Sequence, residues 1–393
     1  MLDAPVQATI RTDCLRHNVR TLRKRARPAS LMAVLKADAY GHGVQRIAPL
    51  LQAEGVAAFA VARLQEAIAL RRLGITGSIL VLAPPTSEEL PAYAAHALHA
   101  SVTSADVARM LIAASPSAPV SVHVNVDTGM HRLGLASDAV PGWWKRLHAA
   151  ASVNAEGLYT HLATADAPAH PRNEVQLSRF ASVLRAVQPA PAAVHVANTD
   201  ALTHLPDRLP PDLQFVRAGL GLYGLTSIPP RNDADASLGE RRAVQGLQPV
   251  LSLQARVMHT HTVPAGETVS YGAHWTAPRD VRVATLSIGY GDGYPRAASG
   301  AAQVRIHGTL RPIVGRICMD LCMVDLGLPR GSLAQRTTVG DTAVLFDERG
   351  PTLHDVAQWS GTIPYEVACQ LAPRVPRRYC DRPETAPVNN GTI

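Results

Sequence analysis

The chain has few lysines, few cysteines and no long apolar segment. Of its 393 residues only Lys24, Lys36 and Lys145 are lysines, so arginine carries nearly all of the positive charge. Five scattered cysteines are typical of reduced thiols, and they show no zinc-ligand spacing with a histidine cluster. No apolar run reaches the roughly 18 residues that a membrane-spanning helix needs. We therefore expect no disulfide framework, no structural zinc and no membrane span.

The overall composition is that of a soluble globular protein with more than one domain. Apolar residues make up 47% of the chain and charged residues 18%, and 393 residues suffice for two cores. The first residues lack a basic segment followed by an apolar one, so we expect no secretory signal and a cytoplasmic location. The net charge of +7 comes from scattered arginines, which argues against nucleic-acid binding.

Short apolar segments alternate with helical patterns over the first 225 residues. The predicted strands are 31–36, 57–61, 78–82, 97–102, 119–126, 155–162, 193–197 and 214–218. Amphipathic segments such as 63–73 and 174–187 lie between them, and Ser104 is a predicted helix N-cap. Eight strands alternating with helices favour an α/β fold of the TIM type, a (β/α)8 barrel, over an open doubly wound sheet.

A polar, proline-rich segment, 226–246, separates this pattern from a second one. The β-type segments that follow it are 249–258, 281–288, 303–307, 312–318, 322–326 and 342–346. Gly-rich turns separate them, and a short helical segment near 354–371 comes last. We predict a barrel domain over residues 1–240 and a C-terminal, mainly β domain over 241–393.

Lys36 closes the first predicted strand, in the segment LMAVLKADAYGHG. A lysine there is compatible with a side chain that only extends its ammonium to water. Lysine can also form an imine, which arginine cannot, once burial lowers its pKa from about 10.4 and it loses a proton. The residue alone leaves both interpretations open.

Further polar residues follow the later strands, at the ends where a (β/α)8 barrel carries its active site. They are Asp127 to Arg132, His161, Asn198, Thr199 and Arg217. Gly219, Gly221 and Gly224 match the spacing G-x-G-x-x-G, but no helical pattern follows them. A phosphate-binding turn therefore fits better than a dinucleotide site. An imine-forming lysine and a phosphate-binding turn at one rim suggest pyridoxal phosphate.

Long motifs then identify a family. LMAVLKADAYGHG, VDTGMHRLGL, GLYTHLATAD, HVANTDAL and VRAGLGLYGL are followed by VSYGAHW, LSIGYGDGYPR, VGRICMDLCMVDL and IPYEVACQLAPRVPRRY. In this order, from about residue 8 to residue 380, they resemble the bacterial alanine racemases. The resemblance implies a homodimer with shared active sites that interconverts L- and D-alanine with pyridoxal phosphate and supplies D-alanine for the cell wall.

The same resemblance implies a role for each matching residue. Lys36 would bind the cofactor and act as the base for one enantiomer, and Tyr271 of the partner subunit would be the base for the other. The implied cofactor-binding residues are Tyr40, Asn198, Thr199, Arg217, Gly219, Leu220 and Tyr365, with Arg217 at the pyridine nitrogen. The implied substrate-binding residues are Arg132 and Met319, the supporting residues His161, His195 and Asp320, and the channel-lining residues Asp166, Tyr290 and Arg296.

Asn125 departs from the family pattern, in which many members have a carbamylated lysine. Asparagine cannot carry the negative charge of a carbamate, so we expect an anion such as chloride near Asn125 and Arg132. The change leaves substrate breadth open, and a broader-specificity or serine racemase is the main alternative. A non-catalytic pyridoxal-phosphate protein would lack the β domain. A fold-related decarboxylase would have a substrate-binding cysteine and an acidic motif there. We do not find them, and Cys318 is the residue that keeps this alternative open.

Overall fold

The structure, a computed structural model, describes residues 4–227 and 246–381. Within them the chain divides into two compact units. One is made of residues 18–222 with 226–227, and the other of the residues before Asn18, residues 223–225 and those from 246 onwards. Most of the predicted linker 226–246, including the boundary at 240, lies outside the described residues, so those domain limits stay a prediction. No described helix combines the length and the apolar character that crossing a membrane requires.

The strands up to residue 218 are short and mostly buried. They are β1 (Val6–Arg11), β2 (Ser30–Val34), β3 (Ala58–Val61), β4 (Ser78–Val81), β5 (His99–Val102), β6 (Val120–Asp127), β7 (Leu135–Ala136), β8 (Val153–Tyr159), β9 (Ala193–His195) and β10 (Phe215–Ala218). The helices in this part of the chain are Thr12–Ala26, Val44–Ala53, Leu64–Arg72, Leu90–Ala95, Ala105–Ala113, Val140–Ala149, Arg172–Ala186 and Thr199–His204. The eight strands predicted from the sequence are all present.

Eight strands form a nearly closed parallel sheet. Their order is β10, β2, β3, β4, β5, β6, β8 and β9, with β7 beside β6. Between the two ends, the backbone N–H of Arg217 donates to the carbonyl of Ala197 at 2.9 Å, and that of Gln214 donates to Val194 at 3.0 Å. Strand β3 shows why these strands could be predicted from the sequence. All four of its residues are apolar and buried, as is typical of a strand covered on both faces. The predicted (β/α)8 barrel is confirmed.

Local sequence sets the helix ends of the barrel. The hydroxyl of Ser104 accepts a hydrogen bond from the backbone N–H of Val107 at 3.2 Å, as predicted for an N-cap. The amide oxygen of Asn198 does the same for Ala201 at 2.9 Å, so the helix Thr199–His204 begins at the residue after Asn198, a short distance beyond β9. These caps fix where each helix leaves the rim of the barrel.

The second unit is built around an eight-stranded sheet. Besides β1, the strands of this sheet are β11 (Leu251–Val263), β14 (Val281–Leu286), β15 (Gln303–Ile306), β16 (Thr309–Val314), β17 (Cys322–Gly327), β18 (Thr342–Phe346) and β19 (Arg377–Cys380). Two short strands, β12 (Thr268–Val269) and β13 (Trp275–Thr276), form a separate two-stranded sheet. The order is β14, β17, β16, β15, β18, β11, β1 and β19, and β11 also pairs with β14. Its helices are Ser332–Arg336, Leu353–Trp359 and Pro364–Cys369. The predicted all-β domain is confirmed.

The N-terminal strand β1 was not among the predicted strands. It pairs antiparallel with β11 and parallel with β19, inside the sheet of the second unit. Its residues alternate between buried and half-buried, which is a β pattern. Its partners lie more than 200 positions away along the chain, so the sequence pattern gives no indication of which sheet it joins.

Gly157 makes room for a histidine inside the barrel. It lies on β8 opposite His123 of β6. A Cβ at this position would lie 2.5 Å from Nδ1 of His123. The imidazole therefore occupies space that any larger residue at 157 would fill.

Replacing Gly157 by alanine should destabilise the protein. Extra atoms in a packed interior cost about 1–3 kcal/mol of unfolding free energy. Gly142, inside the helix Val140–Ala149, is a matched control, because a Cβ there meets nothing within 4 Å. Alanine at 142 should stabilise the protein by about 0.5–1 kcal/mol. Urea unfolding of both variants checks the difference, and equal transition midpoints would contradict it.

Candidate active site

Lys36 is separated from the end of β2 only by Leu35, and it begins an unusual left-handed turn. Four consecutive non-glycine residues, Ala37, Asp38, Ala39 and Tyr40, have positive φ, between 52° and 55°. Each such residue costs roughly 1–2 kcal/mol, and such strain persists only where the surroundings hold it, commonly at functional sites. The exposed side chain of Lys36 emerges from this turn. The single chain therefore leaves this lysine accessible and does not bury it.

Two carboxylates hold the left-handed turn in place. The carboxylate of Glu66 accepts from the backbone N–H of Ala37 at 2.7 Å, and that of Asp38 accepts from Val44 at 2.7 Å. The N–H of Gly41 donates to the carbonyl of Ala37 at 2.9 Å. The turn buries Tyr40, and the Nζ atom of Lys36 lies 5.9 Å from the centre of the Tyr40 ring.

A cluster of small hydrogen-bonding groups lies where β10 ends. The N–H groups of Gly219 and Gly221 both point to the hydroxyl oxygen of Thr199, at 3.3 and 3.1 Å. A Cβ on Gly219 would lie 2.9 Å from the hydroxyl of Tyr40, and one on Gly221 would lie 2.7 Å from Thr199. Both glycines are therefore needed for this close approach. Hydroxyls and backbone N–H groups converging at one turn are a donor set that suits a phosphate.

Arg217 lies buried in the barrel lumen at the end of β10. Its terminal nitrogens donate to the carbonyls of His195 at 2.9 Å, Thr160 at 2.8 Å and Val196 at 3.1 Å. They also contact Nδ1 of His195 at 2.8 Å and Nδ1 of His161 at 3.1 Å. No described residue accepts from its Nε, which is left as a donor for a bound group. Burial lowers the pKa of Arg217 to about 10, so it stays protonated at neutral pH.

The two histidines beside Arg217 are neutral. Burial, together with the charges of Arg217, Arg132 and Lys36, lowers the pKa of His161 to about 3. Burial and Arg217 hold the pKa of His195 well below its usual range. The positive charge at this rim therefore comes from Arg217, Arg132 and Lys36, and not from an imidazolium.

The loop after β6 carries Arg132. The carboxylate of Asp127 fixes this loop by accepting from the N–H groups of Gly129 and His131, both at 3.0 Å. Arg132 is exposed, while Asn125, two residues before Asp127 on β6, is half-buried. The guanidinium of Arg132 is close enough to act on the pKa values of Tyr159, His161 and Arg217. The barrel thus brings Arg132 into the same group of charges as Lys36.

Apart from Asp166, the remaining predicted site residues belong to the second unit, where the side chain of Tyr271 is strongly exposed. Its side chain is 70% exposed, on a short turn whose neighbours Ser270 and Ala273 have φ of 69° and 49°. The hydroxyl of Ser270 donates to the carbonyl of Arg316 at 2.7 Å, which fixes the turn. A large aromatic ring held out by strained backbone is unusual for a surface that stays in water.

Two further loops of the second unit are joined to one another. The N–H groups of Tyr290 and Gly291 donate to the carbonyls of Cys318 and Met319, at 3.0 and 2.8 Å. Met319 and Tyr290 are large exposed apolar side chains, 54% and 42% exposed. A cavity of about 360 Å³ lies beside Tyr290 and is also lined by Arg296 and Glu366.

The last three predicted site residues, Asp320, Tyr365 and Asp166, differ in burial and in their contacts. The carboxylate of Asp320 accepts from Arg374 at 2.7 Å, and Arg374 also binds Asp292 at 2.8 Å. Tyr365 is half-buried in the first turn of the helix Pro364–Cys369. Asp166 is exposed in the barrel unit.

The sequence patterns did not single out three polar residues of the barrel lumen, His99, His123 and Glu156. They lie on β5, β6 and β8, and their ring nitrogens and carboxylate oxygens are within 4.8 Å of one another. The available signal was a histidine or glutamate inside an apolar strand. The sequence alone does not distinguish such a residue from an ordinary surface position, because only the register of the strands in the sheet brings the three side chains together.

Comparison with known proteins identifies the family of this chain. Residues 10–227 match the family described as "Alanine racemase, N-terminal domain", and residues 250–379 match "Alanine racemase, C-terminal domain". The alanine racemase of Acidithiobacillus ferrooxidans is 37% identical over 376 residues, which are 95% of this chain and 98% of that protein. The alanine racemase of Mycobacterium leprae is 38% identical over 384 residues, 95% of this chain and 94% of that protein.

Solved structures show the same fold. The alanine racemase of E. faecalis has a TM-score of 0.86 at 31% identity, with 96% of this chain and 98% of that chain covered. The biosynthetic alanine racemase of Pseudomonas aeruginosa has a TM-score of 0.85 at 34% identity, with 96% and 100% covered. The chain therefore belongs to the alanine racemase family and is an amino-acid racemase.

Proposed function

We propose that the chain interconverts L- and D-alanine with pyridoxal phosphate as its cofactor. One observation carries the proposal, namely that an exposed lysine, a phosphate-type donor cluster and a buried arginine lie at one rim of the barrel. The full-length similarity to alanine racemases supports the substrate. Formation of D-alanine for the cell wall in the cytoplasm is the physiological role we propose.

The residues of the barrel fit the cofactor. Thr199, Gly219 and Tyr40 would bind the phosphate, together with Leu220 and with Tyr365 of the second unit. Asn198 would act indirectly, since its side chain caps the helix that carries Thr199. The free Nε donor of Arg217 would contact the pyridine nitrogen. A protonated guanidinium cannot give up a proton to that nitrogen, which keeps the nitrogen neutral and discourages side reactions such as transamination.

Racemisation requires two bases on opposite faces of the α-carbon. When bound, pyridoxal phosphate withdraws electrons from the α-carbon, so that the proton on this carbon can leave. Lys36 Nζ would remove or return that proton on one face and the hydroxyl of Tyr271 on the other. A tyrosine with a pKa near 10 is a poor base unless its phenolate is stabilised. His161 accepts from Arg217 through Nδ1, so its Nε2–H would be free to donate to the phenolate.

We propose that Tyr271 acts in the site of a second copy of the chain. The exposure of Tyr271, Tyr290 and Met319 on one unit supports this, because a partner surface would cover them. In a symmetric pair each chain would give its Lys36 to one site and its Tyr271 to the other. Arg132 and the backbone of Met319 would bind the substrate carboxylate, and Asp320 would help to position that loop through Arg374. Asp166, Tyr290 and Arg296 would line the route to the site.

We also propose that an anion such as chloride lies between Asn125 and Arg132. Asn125 is neutral and half-buried, while Arg132, Arg217 and Lys36 concentrate positive charge nearby. An anion there would balance this charge and orient the guanidinium of Arg132. Because this position differs from many family members, a broader-specificity or serine racemase remains the alternative for the substrate.

The two proposed bases can be separated by substitution. Lys36→Ala and Tyr271→Phe should each lower racemisation of alanine by about 10²–10⁴-fold, the usual contribution of a general acid–base group. With pyridoxal phosphate added, Tyr271→Phe should keep the absorbance of the lysine-bound cofactor, and Lys36→Ala should lose it. In deuterium oxide, Tyr271→Phe should still exchange the α-proton of one enantiomer but not of the other.

Chiral chromatography with L-alanine, L-serine and L-lysine measures the activity. Wild-type protein that racemises none of them would refute the proposed function, and faster turnover of serine would favour the alternative. Loss of the cofactor absorbance in Tyr271→Phe would contradict a purely acid–base role. An imine absorbance in Lys36→Ala without added amine would contradict the assignment of Lys36.

The anion site predicts a dependence on halide. Protein exchanged into halide-free Hepes buffer should racemise alanine with a higher KM, and added chloride should restore the original value, because the anion would orient Arg132 for the substrate carboxylate. Asn125→Asp places a fixed negative charge at the same position and should remove the dependence. Activity that is indifferent to chloride in the wild-type protein would rule the anion out.

A further inference from the structure

Three histidines form a hydrogen-bonded chain through the lumen of the barrel. Nη1 of Arg217 lies 2.8 Å from Nδ1 of His195, whose Nε2 lies 2.8 Å from Nδ1 of His123. Nε2 of His123 lies 3.2 Å from Nδ1 of His99. His195 is the last residue of β9 and His99 the first residue of β5, so the chain runs between opposite ends of the barrel strands.

Arg217 sets the direction of every bond in this chain. A guanidinium can only donate, so Nδ1 of His195 must accept and its proton must be on Nε2. That N–H donates to Nδ1 of His123, whose own proton is therefore also on Nε2. The Nε2–H of His123 in turn donates to Nδ1 of His99. The charge of Arg217 thus selects the same tautomer in His195 and His123. It favours that tautomer in His99, whose Nδ1 also lies 3.4 Å from Oε2 of Glu156.

The rings are neutral, which this arrangement requires. Burial lowers the pKa of His123 to about 3 and, with Arg217, holds the pKa of His195 well below its usual range. Burial also lowers the pKa of His99, against the opposite effect of Glu156. A second proton on His195 or His123 would bring two N–H groups face to face at 2.8 Å.

The surrounding residues hold the rings in position. Gly157 leaves the space that His123 occupies. The ring of Tyr159 stacks on His195 with centroids 4.9 Å apart and an angle of 4° between the planes. The hydroxyl of Tyr159 donates to Ser101 at 3.0 Å. His195 therefore has little freedom to rotate as long as its Nε2–H has an acceptor.

We propose that His123 is a positioning residue for racemisation. By accepting the Nε2–H of His195, it keeps Nδ1 of His195 as the acceptor for Arg217 and so fixes the guanidinium that would contact the pyridine nitrogen of the cofactor. This inference rests on the proposed function, because it gives Arg217 the role of contacting the pyridine nitrogen. His99 completes the chain by accepting the Nε2–H of His123.

A metal site made of His99, His123 and Glu156 is the competing interpretation. It would need a lone pair on Nε2 of His123, which would move the proton of that ring to Nδ1. Nε2 of His195 would then have to accept, and its Nδ1–H would point at Nη1 of Arg217. Metal binding and the arginine contact therefore exclude each other. The carboxylate of Glu156 instead accepts from Ser121 at 2.7 Å and from Asn154 at 2.6 Å, through one oxygen.

Two substitutions of His123 distinguish its role as a hydrogen-bond acceptor from its role in packing. Leucine removes the acceptor for His195 and fills similar volume, while the amide oxygen of asparagine can replace Nδ1. In holoenzyme, His123→Leu should lower kcat for alanine about tenfold with KM within about twofold, the effect of losing one buried hydrogen bond. His123→Asn should keep kcat within about threefold of the wild type. Glu156→Gln is the matched control, because Glu156 lies beside His99 and outside the row of hydrogen-bonded histidines. It should leave both kcat and KM unchanged.

Nitrogen NMR of the holoenzyme tests the direction of the chain without an activity assay. In protein labelled with ¹⁵N-histidine, the signals of His195 and His123, assigned from His195→Asn and His123→Asn, should show neutral rings with the proton on Nε2. This measurement also applies if His123→Leu fails to fold. If alanine is not racemised at all, the proposed function fails, and the NMR result still decides the tautomers.

Several results would overturn the positioning role. They are a kcat of His123→Leu equal to that of the wild type, equal losses in His123→Leu and His123→Asn, or a proton on Nδ1 of His123. Stoichiometric zinc binding that moves the His123 signals and is abolished by Glu156→Gln would establish the metal site instead. Unchanged signals on addition of zinc would support the hydrogen-bonded chain.

Discussion

A single buried positive charge, the guanidinium of Arg217, constrains much of the barrel. An isolated charge in a protein interior is unfavourable by several kcal/mol unless it is hydrogen-bonded, so carbonyls of Thr160, His195 and Val196 surround it. Because a guanidinium only donates, the neighbouring imidazoles must accept and stay neutral. The lumen of this barrel is therefore partly polar, where many (β/α)8 barrels pack branched apolar residues.

The sequence predicted the barrel well because its strands are covered on both faces and read as continuous apolar segments, as in β3. Lys36 stood out because lysine is rare in this chain, and the family motifs supplied the other rim residues. The left-handed turn at Ala37 to Tyr40 could not be predicted, since none of these residues is a glycine. The His99–His123–His195 chain could not be predicted either, because the alignment of four strands brings together residues far apart in sequence.

The two proposed bases belong to different units of the chain. Lys36 emerges from a strained turn of the barrel, and Tyr271 from a strained turn of the β unit, where its ring is 70% exposed. Both turns are held by hydrogen bonds to neighbouring backbone or side chains. A second copy of the chain would explain why an aromatic base is held out into solvent.

Mixing two inactive variants tests most directly whether the bases come from two chains. Lys36→Ala and Tyr271→Phe proteins would be unfolded together, refolded with pyridoxal phosphate and assayed for alanine racemisation. Random pairing makes about half of the dimers hybrids, and each hybrid would contain one site with both bases. Activity should then recover to about a quarter of the wild-type value. If both bases act within one chain, the mixture would stay as inactive as its components, and the shared-site account would be wrong.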